Sequence, residues 1–333
     1  AEAVNFDDRS WNVVSTPHTV ELMPAEGSGC RNYQGPAWYR KHFVLPAETK
    51  GQRVVLHFEA AMGKQILYLN GKRIQEHLGG YLPFTLDLTA NGVQAGDSCL
   101  LAVFTDNSDD KSYPPGKRQY TLDFAYHGGI YRDVWMIAKS PVAITDAIDS
   151  QIVGGGGVFV HFDKISEKSA QVYVNTEVQN DDARSESVTV ETTLTDADGK
   201  VIKRSSGKLS LKPGEKKSIR QQMEVKNPTL WSPDTPYLYR VQSRIKKGNK
   251  SIDGGITRVG IRLAEFRGKD GFWLNGKPFG QLVGANRHQD FAYVGNALPN
   301  SQQWRDAKRL RDVGCTIIRV AHYPQDPAFM DAC

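Results

Sequence analysis

A mainly β protein that turns into an α/β segment near its end is what this sequence predicts. Three observations carry that prediction. Short apolar or alternating runs recur between turn residues as far as about residue 261, at the spacing of sandwiches and barrels. Two Asn-Gly pairs, Asn70-Gly71 and Asn275-Gly276, supply the positive φ angles of tight hairpin turns. After residue 262 the pattern becomes strand, helix, strand, helix start, which implies a parallel sheet with helices outside it.

The first β region covers residues 1–140. Its strands are expected at Trp38–Val44, Arg53–Phe58, Gln65–Leu69, Leu100–Phe104 and Ile130–Ile137. Ser140-Pro141 marks a boundary. The second region, 141–261, has strands expected at Val158–Phe162, Ala170–Val178, Val188–Thr195, Ser218–Val225 and Tyr239–Ile245, with turns at Asp196–Gly199 and Lys212–Glu215. That length and spacing suit an immunoglobulin-like sandwich. Gly154–Gly157 lacks the Lys-Ser/Thr and the following helix of a phosphate-binding loop, so it reads as a flexible connection.

The third region is 262–333. Gln281–Ala285 is strand-like, and Ser301–Val313 has helical spacing with Ser301 as its cap and Gly314 as its stop. Trp304, Ala307 or Lys308, and Leu310 or Arg311 fall on successive turns of it. Cys315–Val320 reads as a buried β-branched strand, and Asp326-Pro327 as a cap followed by proline at the first turn. A complete (β/α)8 barrel takes about 250 residues. The expectation is a fragment whose third domain is interrupted early, leaving apolar faces uncovered after about residue 290.

Composition narrows the function classes. Of 333 residues, 39% are hydrophobic and 24% charged, which argues against disorder. The net charge is +5, from 42 Lys and Arg against 37 Asp and Glu. It is spread thinly, without the dense basic face of a nucleic-acid binder. No apolar run is long enough to span a membrane. Cys30, Cys99, Cys315 and Cys333 form no CxxC pair, so no zinc site is signalled. Ala1–Val4 lacks the charged and apolar segments of a signal peptide.

Three groups can do chemistry. Asn286-Arg287-His288-Gln289-Asp290 follows one strand, and Arg319-Val320-Ala321-His322-Tyr323-Pro324 ends the next. On barrel strands both would lie at the C-terminal rim, where such enzymes build their sites. Arginine there can hold a carboxylate with two hydrogen bonds, and histidine can bind a hydroxyl or shuttle a proton. Arg319 and His322 would otherwise simply satisfy strand ends. The third group is Asp123–Ile130, an aspartate among aromatics before two glycines, which is either a presented carboxylate or a plain turn. Trp11, Trp38, Trp135 and Trp231 can stack on sugar rings, although such residues are more often core.

Motifs along nearly the whole chain resemble glycoside hydrolase family 2, the β-galactosidase and β-glucuronidase group. They include Phe6–Trp11, Pro17-His18-Thr19, Trp38–Lys41, Tyr68–Gly71, His77–Phe84, Gly128–Val134, Leu230–Pro233, Pro236–Tyr239, Gly284–His288 and Arg319–Pro324. Their order is specific, where any one alone is weak. The resemblance implies a jelly-roll sugar-binding-type domain, an immunoglobulin-like sandwich and the start of a TIM barrel. It implies that His322, His288, Asn286, Arg287 and Asp290 line the sugar subsite. Arg319 would lie beside the catalytic carboxylates, and Asp123 would reach over the barrel mouth.

The reaction so implied is hydrolysis with retention, by two glutamates about 5–5.5 Å apart. No Asn-Glu pair occurs in the sequence, and its last glutamate is Glu265. The catalytic pair is therefore expected outside these residues and the chain itself is expected to be inactive. The implied partner is a carbohydrate, most readily a β-galactoside, with β-glucuronidase or a non-catalytic glycan-binding module as alternatives. No cofactor is required, metal use is unreadable, a homo-oligomer is left open, and a bacterial periplasmic or exported setting fits the resemblance.

Overall fold

The computed structural model describes residues 1–23 and 32–333; Cys30 lies outside them. Backbone contacts divide the chain into two units. One joins Ala1–Ala138 to Val283–Cys333, and the other is Lys139–Leu282.

In the first unit, seven strands form two antiparallel sheets. They are β1 (Pro36–Val44), β2 (Arg53–Phe58), β3 (Lys64–Leu69), β4 (Lys72–Leu78), β5 (Phe84–Asp87), β6 (Ser98–Asp106) and β7 (Val134–Lys139). The sheet orders are β1-β6-β3-β4 and β5-β2-β7. Strand β3 alternates half-buried and buried residues along its length, as a strand with one covered face must. The inward side chains, among them Leu45, Val54, Phe58, Leu67, Leu86 and Val103, form one apolar core. Asn70 at φ 51° and Gly71 at φ 80° turn β3 into β4, the hairpin expected from the sequence.

The strand expected from Ile130 starts only at Val134. Its missing residues are bonded irregularly instead. His18 N–H donates to Ile130 O at 2.8 Å, Val20 N–H to Gly128 O at 2.9 Å, and Met62 N–H to Gly129 O at 3.0 Å. Gly129 permits this at φ 128°. A Cβ there would stand 2.5 Å from His18 O.

The second unit packs two further sheets. Its strands are β8 (Val142–Ile144), β9 (Val158–Asp163), β10 (Ser169–Asn180), β11 (Glu186–Thr195), β12 (Val201–Leu211), β13 (Lys216–Lys226), β14 (Tyr239–Lys247) and β15 (Lys250–Val259). One sheet runs β13-β10-β8 with β9 beside β10; the other runs β12-β11-β14-β15. Val172, Val174, Leu194, Met223 and Val241 fill the interior, as in an immunoglobulin-like sandwich. One helical turn, α1 (Ala147–Ser150), precedes Gly154–Gly157, whose last N–H donates to Thr145 Oγ1 at 2.9 Å. A small meander, β16 (Ala264–Phe266), β17 (Phe272–Leu274) and β18 (Lys277–Pro278), closes the unit, turning at Asn275-Gly276.

The remainder of the first unit is β19 (Gly284–Arg287), α2 (Asn300–Asp312), β20 (Ile317–Val320) and α3 (Pro327–Ala332). Strands β19 and β20 pair in parallel, Asn286 opposite Arg319, so this is a strand-helix-strand unit of the kind that builds a TIM barrel. Helix α2 starts a residue earlier than expected, after Pro299, and no side chain caps it. Asn300 instead donates to Asp133 Oδ2 at 3.0 Å. Its buried face is Gln303 and Ala307, while Trp304 is half exposed. Its end is as the sequence predicts. Gly314, at φ 89°, donates to Arg311 O at 2.9 Å and Cys315 to Leu310 O at 3.0 Å, a Schellman motif. Asp326 caps α3 through Ala328 N–H at 2.8 Å. Strand β20 was expected to be buried, but Ile317 is exposed, because among the described residues β20 pairs only with β19.

Candidate active site

Successive side chains of a strand point to opposite faces, and this sorts Asn286-Arg287-His288. Arg287 faces the helices. Its guanidinium donates to Gln325, to Gln303 Oε1 at 2.8 Å and to Asp306 Oδ2 at 2.7 Å, and lies 4.1 Å from the Phe329 ring centroid. Its two terminal nitrogens are thus spent on α2 and on Gln325, just before α3. In this structure Arg287 fastens the helices to the strand, on the face opposite the other candidates.

The other candidates converge at the C-terminal ends of β19 and β20. His288 and His322 stand edge to face with ring centroids 5.1 Å apart. Phe124 packs against both, at 5.6 Å from His288 and 5.7 Å from His322. This brings in the loop before β7, and Asp123 Oδ1 reaches within 3.9 Å of His322 Nε2. Arg319 is exposed and donates to Asn286 Oδ1 at 3.3 Å. Asp290 lies close enough for its charge to act on His288, His127 and Tyr323.

Burial holds the His288 imidazole below the ordinary histidine range, with His322 and Arg319 reinforcing the shift and Asp290 and Asp123 opposing it. A neutral ring offers one donor and one acceptor. Its Nδ1 is buried without a partner. The cluster therefore sets an apolar ring face beside two imidazoles, two carboxylates, an amide and a guanidinium. Such a mixture of one flat apolar surface with convergent polar groups suits a polyol ligand. Among the described residues no group of His, Cys, Asp and Glu is placed to hold a metal ion.

Three family models match successive parts of the chain. The family model "Glycosyl hydrolases family 2, sugar binding domain" matches residues 5–141, "Glycosyl hydrolases family 2" matches 156–262, and "Glycosyl hydrolases family 2, TIM barrel domain" matches 266–333. The chain belongs to glycosyl hydrolase family 2.

Within family 2, the chain is 34% identical over 330 residues to a β-galactosidase of Thermoanaerobacter pseudethanolicus, covering 99% of this chain and 42% of that one. It is 32% identical over 347 residues to a β-glucuronidase of Formosa agariphila, covering 99% and 35%. The structure superposes on Bacteroides uniformis β-glucuronidase 2, covalently bound to cyclophellitol-6-carboxylate aziridine, with a TM-score of 0.88 and 31% identity. That match covers 100% of this chain and 38% of the other. The chain thus spans about two fifths of the length of these family 2 relatives.

Several residues around this candidate site are given no role by the sequence reading. Tyr323 stacks on Tyr81, centroids 4.5 Å apart. Arg132 is buried and donates to Gln289 Oε1 at 3.1 Å and to Pro324 O at 2.6 Å. His127 Nδ1 meets Asn296 Oδ1 at 2.9 Å. Phe124 had a usable signal, standing beside Asp123 in an aromatic run; the others need the fold. The four tryptophans are all half-buried or exposed rather than core. Trp11 packs on Phe6, Trp38 on Tyr68 and Phe104, and Trp231 under Arg262, while Trp135 donates to Glu59.

Proposed function

We propose that this chain supplies the sugar-recognising part of a retaining exo-β-glycosidase, acting on a terminal β-linked sugar and, of the family's substrates, on a β-galactoside. In this reading residues 1–140 are the jelly-roll domain, 141–261 the immunoglobulin-like domain and 262–333 the start of the catalytic barrel. Asp123, Asn286, His288, Asp290, Arg319 and His322 take the sugar. The observation that carries the reading is the convergence of Asp123 with His288 and His322 around Phe124. It unites a sandwich loop with the rim of two parallel strands, where barrel enzymes place their sites. The relatives named β-galactosidase and β-glucuronidase support a β-glycosidase.

The acid/base and nucleophile carboxylates come, in this proposal, from residues outside the sequence, since no glutamate follows Glu265. Hydrolysis by such a pair needs no cofactor. A second reading, a β-glucuronide substrate, is favoured by Arg319. Arg319 is exposed at the site, and apart from its one hydrogen bond to Asn286 at 3.3 Å its donors can meet a sugar carboxylate, which Arg binds bidentately.

The test is binding and turnover of nitrophenyl β-galactoside and β-glucuronide by the 333-residue chain, beside a longer chain that completes the barrel. The chain alone should turn over neither. Binding of the galactoside that is weakened about tenfold or more by Asp123→Ala or His322→Ala supports the reading. Preference for the glucuronide, lost in Arg319→Ala, transfers it to the second sugar. Turnover by the chain alone overturns the assignment of catalysis.

A further inference from the structure

Arg132 lies at the end of the Gly128–Val134 run, and its side chain is almost completely buried. Taking a guanidinium out of water costs several kcal/mol unless its donors are met. Here one nitrogen, Nη2, spans two segments. It donates to Gln289 Oε1 at 3.1 Å and to Pro324 O at 2.6 Å. The other terminal nitrogen, Nη1, donates to Tyr81 O at 3.4 Å, and Nε has no partner. Gln289 is itself fully buried, and the same Oε1 also accepts Asp326 N–H at 3.1 Å.

These contacts meet at one place in the chain. Gln289 is adjacent to His288, and Pro324 is two residues beyond His322. The acceptors of Arg132 are thus next to the two imidazoles, one after β19 and one after β20. Tyr81, whose carbonyl takes the third bond, stacks on Tyr323 between them. The carboxyls around the cation are Asp326, Glu59 and Asp133, whose charges combine on Asp326 and Glu59. None of the three accepts a hydrogen bond from Arg132. A cation placed only to be neutralised would take a carboxylate; this one takes an amide oxygen and two backbone carbonyls, acceptors fixed in position.

We infer that Arg132 is a positioning residue for the sugar site, a latch from the sandwich that holds the His288 and His322 segments in mutual register. The inference rests on the proposed sugar site, but the latch itself is read without sugar. A shift of about 1 Å in a positioned group can cost a hundredfold in function, and either segment, released from Nη2, would be free to make such a shift.

The experiment compares Arg132→Lys and Arg132→Met with the wild-type chain. Lysine keeps the charge but cannot offer the guanidinium's planar fork. Three quantities are read: the thermal midpoint, the ring resonances of His288 and His322 by NMR, and affinity for nitrophenyl β-galactoside and β-glucuronide. Val172→Ala, a core cavity in the second unit, serves as a control for lost stability alone. The latch predicts that Arg132→Lys stays folded, moves both histidine resonances and weakens sugar binding about tenfold or more. It predicts that Val172→Ala moves neither. If Arg132→Met fails to fold, the lysine variant still decides. Unchanged histidine resonances in folded Arg132→Lys overturn the latch, whatever its melting point. If the wild-type chain binds neither sugar while Arg132→Lys still moves both resonances, the latch stands and the proposed sugar site falls.

Discussion

Two buried regions of the first unit do different work with different residues. The sandwich interior is aliphatic, with Leu45, Val54, Leu67, Leu86 and Val103 around the stacked pair Phe58 and Phe84. The layer beside the histidines is tyrosine-rich: Tyr81, Tyr126, Tyr131 and Tyr323, with Phe124 against them. Aliphatic burial is strong but non-directional. A tyrosine adds a hydroxyl that bonds in one direction. Tyr131 donates to Gly80 O at 2.5 Å, Tyr126 donates to Asp109, and Tyr323 accepts from Gln289 N–H at 3.4 Å. Burial pushes all four phenols up, Tyr131 to about 12, so they stay protonated at any ordinary pH. The interior supplies stability and the tyrosine layer supplies placement.

The largest effects should come from breaking the interior. Phe58→Ala removes a fully buried ring and should cost about 3–5 kcal/mol, measured by urea denaturation, while the folded fraction keeps the His288 and His322 resonances. Arg287→Met should come next. Removing one partner of a buried ion pair costs about 3–5 kcal/mol. Here the low end or less is expected, because Asp306 keeps a fifth of its side chain in water. Hydrogen exchange should quicken in α2 and α3, with sugar affinity changed less than the Asp123 and His322 variants change it. A large loss of affinity with intact helices would return Arg287 to the sugar-facing group.

A smaller effect is the pH dependence of stability. Burial lowers the folded-state pKa of His18, His77, His127 and His288. A group whose protonated form is disfavoured by folding binds more protons when unfolded. Stability therefore rises with pH through the window between the lowered values and the ordinary 6.5, and is lost as the pH falls through that same window. Asp326 and Glu59 are shifted up by burial, so their contribution has the opposite sign and lies in the carboxylate range. The thermal midpoint should fall from pH 7 towards pH 5. The fall should be shallower in His77→Phe, whose ring would keep the 4.4 Å stack on Phe84 without a proton to bind. An equal slope in the two proteins would remove His77 from this account.

How much of this was legible depends on the range of the signal. Asn70-Gly71, Gly314 and Asp326-Pro327 act within a few residues, and each does locally what its chemistry predicts. The rim residues were legible as a group because motif and strand end coincide. For Arg287 the information was present in the sequence: two-residue alternation along β19 already sets it on the face opposite Asn286 and His288. Arg132 was not legible as a latch. Its partners are 157 and 192 residues away, and only the fold brings them to it. Ser301 is not the cap because the helix begins at Asn300, which puts Ser301 inside the first turn.

The finest test of the two-region comparison lies inside the tyrosine layer. Tyr131 and Tyr81 are both buried, but only one hydroxyl is used. Tyr131 Oη donates to Gly80 O, while Tyr81 Oη is buried with no partner. Deleting a made hydrogen bond costs about 1 kcal/mol and strands the acceptor; deleting an unmade one removes a desolvation penalty. Tyr131→Phe should therefore lower the urea midpoint measurably. Tyr81→Phe should leave it unchanged or raise it, and should keep its stack on Tyr323. If Tyr81→Phe instead loosens the His288 and His322 resonances, the Tyr81 hydroxyl is bonded in solution, through a water or a rotated ring. It would then belong with Tyr131 among the groups that set position.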